Sequence, residues 1–307
     1  ESTYGVLATG NWRRLPVRSI DLGGALSLVD DPIISAGLGR EHADPYLDVP
    51  QVQGNVVVPV DVRNFGYWLK MLFGPATVTG SANPYLHSFA VTGPQVALPS
   101  RSIEKGFNGA AGYNKFHVAL GVKANSLDLT WTNTAEQAPT ATIGLIGRQE
   151  VQATSSSGGT PTTQAYTRFL QKTASVTWAG SGIVDVMSVN LRYSNGLEVV
   201  RTVNAGGLAD NVDEGQIDCT GEIRVRHNDA TLLNAATGNT PATIAATWAY
   251  DSNWSLGFQV ARAFLGKPSV GVSGPGGIEV TYPFRAAFSS SVGNTLVVYL
   301  QSPVSGY

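Results

Sequence analysis

The chain has 307 residues, 43% of them apolar and only 14% charged, against about 25% charged in ordinary soluble domains. Its net charge is −2 from 20 basic and 22 acidic residues. No Lys/Arg cluster stands out, which argues against a tight phosphate-binding surface. Charge this sparse suits a subunit that buries its surface against neighbours, because interface cores are depleted in charge. A Ser/Thr/Asn-rich β protein that solvates itself with neutral polar groups is the alternative. Arg13-Arg14 with Arg18, and Arg224 with Arg226, are the densest basic groups and read as solvated or inter-subunit faces.

Taken in order, residues 1–11 read as an extended arm and residues 15–28 as two short apolar segments around Gly23-Gly24. Residues 29–51 lack regular periodicity and mix Asp30, Asp31, Asp44 and Asp48 with Pro32, Pro45 and Pro50. Long aperiodic connections are usually functional or disordered. The reading here is an arm or long hairpin reaching a neighbour, with a mobile surface loop as the alternative. Val56, Val58, Val60 and Val62 alternate as on a strand, and Pro59 favours its end or an edge. Asn64 is the expected N-cap of a helix whose apolar stripe is Phe65, Trp68, Leu69, Leu72 and Phe73. Gly74-Pro75 stops it.

Strands are predicted at 87–91, 100–104, 116–120 and 126–131. In the last, Leu127, Leu129 and Trp131 share one face and Ser126, Asp128 and Thr130 the other. Residues 155–161, Ser-Ser-Ser-Gly-Gly-Thr-Pro from mid-chain, read as a flexible joint. Further strands are predicted at 175–178, 185–193, 216–226, 254–264, 278–284 and 296–300. Asn195-Gly196 and residues 274–277 are turn signals. Asp229 is the expected cap of a short helix over 230–236.

One phrase occurs twice. Gly54 opens an alternating apolar run that leads into the helix at 65–73, and Gly221 opens another that leads into the helix at 230–236. The pattern predicts an all-β chain of sandwich or partial-barrel units in two related halves, each with a short helix. The first unit spans 1–154, the joint 155–161 and the second unit 162–307.

No phosphate-binding loop, nucleophile elbow or zinc-protease signature is present. Pro268 spoils the only Gly-Lys start, at Gly266-Lys267. His42, His87, His117 and His227 are scattered. Asp210, Asp213, Glu214 and Asp218 cluster around Gly215 and are metal candidates, but their spacing is unlike a calcium-binding loop, and a solvated acidic turn is preferred. No cofactor is expected. The lone Cys219 cannot form an intrachain disulfide and fits a reducing cytoplasm. No secretory leader pattern and no 18-residue apolar run is visible. A building block therefore fits better than an enzyme. A β-sandwich binding or capsid-decoration module is the alternative, and Trp12, Trp248 and Trp254 could form the aromatic platform it needs.

The order of elements resembles the larger two-part tail tube proteins of long-tailed bacteriophages. The resemblance runs through Tyr4-Gly5-Val6-Leu7, Val52-Gln53-Gly54, Val58-Pro59-Val60-Asp61 and Leu72-Phe73-Gly74. It continues through Tyr85-Leu86-His87-Ser88-Phe89, Leu98-Pro99-Ser100-Arg101-Ser102-Ile103-Glu104 and Gly121-Val122-Lys123-Ala124. It closes on Thr220-Gly221-Glu222-Ile223 and Tyr282-Pro283-Phe284-Arg285-Ala286. It implies a virion subunit, assembled in the host cytoplasm, that forms rings, commonly of six. A ring of three two-unit subunits also fits, so the stoichiometry stays open. Stacked rings would pass DNA without binding it, with other tail proteins at the tube ends. On this view Asp30, Asp31, Arg40, Asp44 and Asp48 sit on an arm that docks on the next ring. Ser126, Asp128 and Thr130 are candidates for the channel lining.

Overall fold

The computed structural model describes residues 1–33, 41–91, 97–107, 115–132, 138–183, 185–226, 230–269 and 277–307. The first half supplies β1 (Arg13–Arg14), β2 (Ser19–Ile20), β3 (Gly23–Ala25), β4 (Leu28–Val29), β5 (Tyr46–Leu47) and β6 (Gln51–Pro59). Helix α1 (Phe65–Phe73) follows, then β7 (Thr77–Thr79), β8 (Tyr85–Phe89), β9 (Arg101–Gly106), β10 (Phe116–Thr132), β11 (Thr140–Gly147) and β12 (Gln149–Ala153). The second half supplies β13 (Thr162–Thr163), β14 (Ala174–Trp178), β15 (Ser181–Gly182), β16 (Val186–Ser194), β17 (Glu198–Val200), β18 (Asn211–Asp213) and β19 (Asp218–Arg226). Helix α2 (Thr231–Thr237) leads into β20 (Ala242–Ala249), β21 (Ser255–Leu265), β22 (Glu279–Ala286) and β23 (Leu296–Ser302).

The fold is all-β and sandwich-like, as the alternating runs predict. One layer runs β6–β11–β10–β16–β19–β22, with β2 and β3 laid along the outer side of β6. The other runs β7–β8–β23–β21–β20–β14. The end of β21 also pairs with β22 and joins the two layers. All these ladders are antiparallel, so each strand can turn one face inward and the other outward. Val56, Ile143, Leu129, Leu191, Ile223 and Tyr282 point in from the first layer, and Trp248, Phe258 and Leu300 from the second. Trp131 of β10 stacks on Trp248 of β20 at 4.5 Å between centroids and meets Phe258 edge-on at 5.3 Å. One apolar core thus runs through both halves of the chain.

Several elements differ from the sequence reading. The strands predicted at 116–120 and 126–131 are one strand, β10, which bends at Gly121. That residue has φ +65°, and a Cβ there would sit 3.0 Å from Arg148 and the Tyr4 ring. Before the bend β10 pairs with β9 and β12, the β9 ladder reaching on to Val122; after it, β10 pairs with β11 and β16. Asn64 stands at the N-cap position of α1 as expected, but it has helical angles and makes no side-chain cap bond. Asp61 is the acceptor instead. Its carboxylate takes the Asn64 N–H at 3.1 Å, the Asn64 side-chain amide at 2.7 Å and the Arg63 N–H at 3.3 Å. Asp61 is fully buried, and burial raises its pKa against the pull of these bonds. Asp229 and most of the predicted 274–277 turn lie outside the described residues.

The ladders repeat their order. In the first half β6 pairs with β11, which pairs with the later part of β10. In the second half β19 pairs with β22, which pairs with the end of β21. The early part of β10 lies between β9 and β12, and that of β21 between β20 and β23. Gly54 of β6 and Gly221 of β19 hold matching places. A Cβ at Gly54 would sit 2.6 Å from the Leu22 Cα, and one at Gly221 2.1 Å from the Asn190 carbonyl oxygen. Both positions need glycine because a neighbouring segment's backbone crosses too close for a side chain.

Candidate assembly surfaces

The outward face of the first layer is polar. Along β10, Asp128 and Thr130 are exposed and Ser126 half-buried, alternating with buried Leu127, Leu129 and Trp131. The register places Ser126, Asp128 and Thr130 opposite Ser194, Arg192 and Asn190 of β16. Those residues face Asp218, Thr220 and Glu222 of β19, which is paired in turn with Pro283 and Arg285 of β22. The three predicted channel residues therefore belong to a face four strands wide.

Charge on this face is matched. Asp128 meets the Arg192 Nε at 3.1 Å, Asp218 meets the Arg285 Nη2 at 3.1 Å, and Arg224 pairs with Glu279. Thr130 donates its hydroxyl to the Asn190 side chain at 2.9 Å. Asp128, Asp218, Glu222 and Glu279 balance Arg192, Arg224, Arg226 and Arg285, so the face is neutral in sum. The Arg192 side chain is 79% exposed. Pairs this open add about 0–1 kcal/mol each. They set the surface potential rather than hold the fold.

A second surface is apolar. β4 and β5 pair as the stem of a hairpin, with Leu28 opposite Leu47 and Val29 opposite Tyr46. Leu28 is 69% and Leu47 61% exposed, with Leu26, Ile33 and Tyr46 also open to solvent. Asp30, Asp31, Asp44 and Asp48 are exposed on the same segment, Asp48 accepting the Val49 N–H at 2.7 Å. Arg40 lies outside the described residues. Arg201 ties the hairpin base to the body through the Pro50 carbonyl at 3.0 Å and the Gly207 carbonyl at 2.6 Å. The carboxylates marked this segment in the sequence; its exposed leucines are its main physical feature. Contiguous exposed apolar patches mark interaction sites.

The acidic group around Gly215 disperses. Glu214 reaches Lys123 at 2.7 Å and the Leu98 N–H at 2.8 Å, Asp213 accepts from Asn211, and Asp218 joins the polar face. Among the described residues no three His, Cys, Asp or Glu side chains are placed to hold a metal ion. His87 is buried with its Nε2 on the Val304 carbonyl at 2.7 Å, and His227 lies outside the described residues. Trp248 belongs to the core, and Trp254 is half-buried with the Arg63 guanidinium 5.0 Å over its ring. No platform of Trp12, Trp248 and Trp254 forms. Cys219 is buried, and burial, aided by the Asp218 charge, pushes its thiol pKa up to about 12.

One important residue escaped the sequence reading. Asn195, taken only as half of a turn signal, is buried and donates to the Leu72 carbonyl at 2.9 Å and the Ala124 carbonyl at 3.0 Å. It accepts the Tyr193 hydroxyl at 2.8 Å. It thereby pins the second half onto α1 and β10 of the first. The Asn-Gly pair gave the signal, but only long-range contact reveals the role.

A β-rich body that carries one neutral polar face and one exposed apolar hairpin has the features of a structural assembly subunit. A family model described as phage tail tube protein matches residues 1–286, and the chain belongs to that family of structural virion-tail proteins. No curated protein matches the chain. No helix among the described residues is long and apolar enough to cross a membrane.

Proposed function

We propose that this chain is the repeating subunit of a hollow tail tube through which DNA leaves the virion. Copies join edge to edge into rings, and this pairing covers the open strand edges that would otherwise aggregate. The rings stack through the β4–β5 stem with its exposed leucines, and the outward face of the first layer lines the channel. The observation that carries this reading is the charge balance of that face. Three of its arginines are held by carboxylates, so it offers a passing polyanion little to bind. Ser126, Asp128 and Thr130 stand at its centre.

The repeated ladder order supports two related units, 1–154 and 162–307, joined at 155–161. Each unit would occupy one position around the ring, so six single-unit positions and three two-unit copies are both accommodated. Assembly takes place in the host cytoplasm, where Cys219 stays a thiol, and other tail proteins cap the tube ends. DNA passes without specific binding.

Negative-stain electron microscopy of the purified protein at rising concentration tests the reading. Hollow rings or stacked tubes are expected. A particle that stays small and solid at every concentration, even with tail-tip extract added as initiator, would refute it.

A further inference from the structure

We infer that the open edge formed by β2 and β3, with the groove beside it, receives the end of β21 from a second copy of this chain. The inference rests on the tube reading and names the contact that closes the ring.

The chain supplies its own template for this contact. β16 is held on one side by β19 and on the other by β10, whose residues 126–132 pair with residues 194–188. β2 and β3 hold the corresponding place in the first half, because they pair with β6 as β16 pairs with β19. Gly221 faces Leu191 in that ladder, and Gly54 lies against Leu22; both leucines are buried. Leu22 thus corresponds to Leu191. On its remaining flank β16 has a strand, whereas β2 and β3 have none among the described residues.

A groove of about 1480 Å³ lies there instead, lined by Ile20, Leu22, Trp68, Met71, Ile103 and Phe116 among others. The Leu22 carbonyl accepts from a side chain, the Lys105 ammonium. In the second half the corresponding space lies against β20, and Trp131 of β10 fills it by stacking on Trp248. The groove is therefore the place a strand occupies in one half and leaves vacant in the other.

The same correspondence names the strand that enters. Leu145 of β11 links Gly54 to Ala124 of β10, and Phe284 of β22 links Gly221 to Leu265 of β21. Leu265 thus corresponds to Ala124. Residues 266–269 follow it as residues 125–128 follow Ala124 into the ladder with β16. Beyond the Ala242–Ala263 pair, the side of β21 turned away from β22 has no strand partner among the described residues. Each copy hence has one edge to give and a different one to receive. Such a head-to-tail contact closes into a ring when its rotation allows. A ring of n copies then alternates internal and inter-copy joints of the same kind.

Transferring the Ser126–Ser194 pair sets Lys267 of one copy opposite Ala25 of the next. The register holds to within about one residue, because β10 bulges between Ala124 and Ser126. Ala25, Lys267 and Ser269 are all exposed, so cysteines there leave the fold intact, and native Cys219 is buried. Tubes grown from a mixture of the Ala25→Cys and Lys267→Cys chains, or of Ala25→Cys and Ser269→Cys, are oxidised and run without reductant. A covalent dimer is expected from at least one mixture and from no single variant. Hydrogen exchange on the wild-type protein gives an independent measure, with amides of residues 19–25 and 264–269 gaining at least tenfold protection on assembly. Rings or tubes with neither cross-link nor protection overturn this inference and leave the tube reading intact. Failure to assemble at all overturns the tube reading and the inference with it.

Discussion

Replacing Leu28 and Leu47 together by threonine tests the stacking role of the β4–β5 hairpin. Threonine keeps strand propensity, so the hairpin itself is preserved. Fully burying a leucine side chain gains about 1.5–3 kcal/mol. At 69% and 61% exposure, most of that gain is still available to a neighbour in each case. Docking of the hairpin would then draw about 2–4 kcal/mol from the pair, and losing it weakens each contact by roughly 30-fold to several hundred-fold. The subunit itself should hardly notice, since substitutions at exposed sites shift stability by about 0.5 kcal/mol or less. The assay is the concentration at which sedimenting tubes first appear, read beside a urea melt of the unassembled subunit. The expected result is an unchanged melt and a much higher threshold, with single rings accumulating. An unchanged threshold would show that the leucines meet nothing on the next ring, and the stacking role would have to move to another surface.

Other perturbations address the subunit and the channel. Trp131→Ala removes the aromatic stack that joins the halves and should cost about 3–5 kcal/mol, seen as a lower urea midpoint. Asp61→Ala leaves buried donors at the start of α1 unmatched and should cost about 2–3 kcal/mol in the same melt. Burial alone would raise the pKa of Glu214, but the Lys123 bond and charge and the Leu98 N–H bring it below its ordinary 4.5. A depressed carboxylate stabilises the fold above its unfolded pKa, so this contribution fades as pH falls below 4.5. Glu214→Gln should lose about 2 kcal/mol at neutral pH and flatten the acid limb of a pH–stability curve. The triple change Asp128→Asn, Asp218→Asn and Glu279→Gln should alter stability by no more than about 1 kcal/mol per pair but slow DNA passage, increasingly at low salt. Unchanged DNA release from virions carrying it would place that face away from the channel.

The sequence made the long strands legible because period-two alternation survives wherever one sheet face is buried. Residues 126–131 and 278–284 show this directly. β11, β12 and β20 were missed. β11 and β20 are built largely from Ala, Thr, Gly and Ile, whose small side chains blur the contrast between faces. The bend within β10 uses the positive φ of Gly121, where Arg148 and Tyr4 leave no room for a side chain, a contact no local pattern encodes. Asn64 was legible as the N-cap, but Asp61 escaped as the acceptor at that end because it stands three residues earlier. The polar face was legible strand by strand, yet its charge balance was not. That balance arises only when register sets Asp128 beside Arg192, and Asp218 beside Arg285, from distant parts of the chain. The hairpin was legible as irregular, while the exposure of its leucines required knowing what the body leaves uncovered.

Pairing of opposite charges on one wall has a consequence for motion along it. A row of lone cations would present a polyanion with a series of wells, each held by long-range attraction that salt must weaken before the chain could advance. Close ion pairs act as dipoles, whose fields cancel within a short distance of the wall. A wall built from them presents a nearly level potential to whatever slides past, and a level potential exerts little drag. Transport along such a surface would then be governed by the pressure behind the cargo and by channel width, and would depend only weakly on the ions outside.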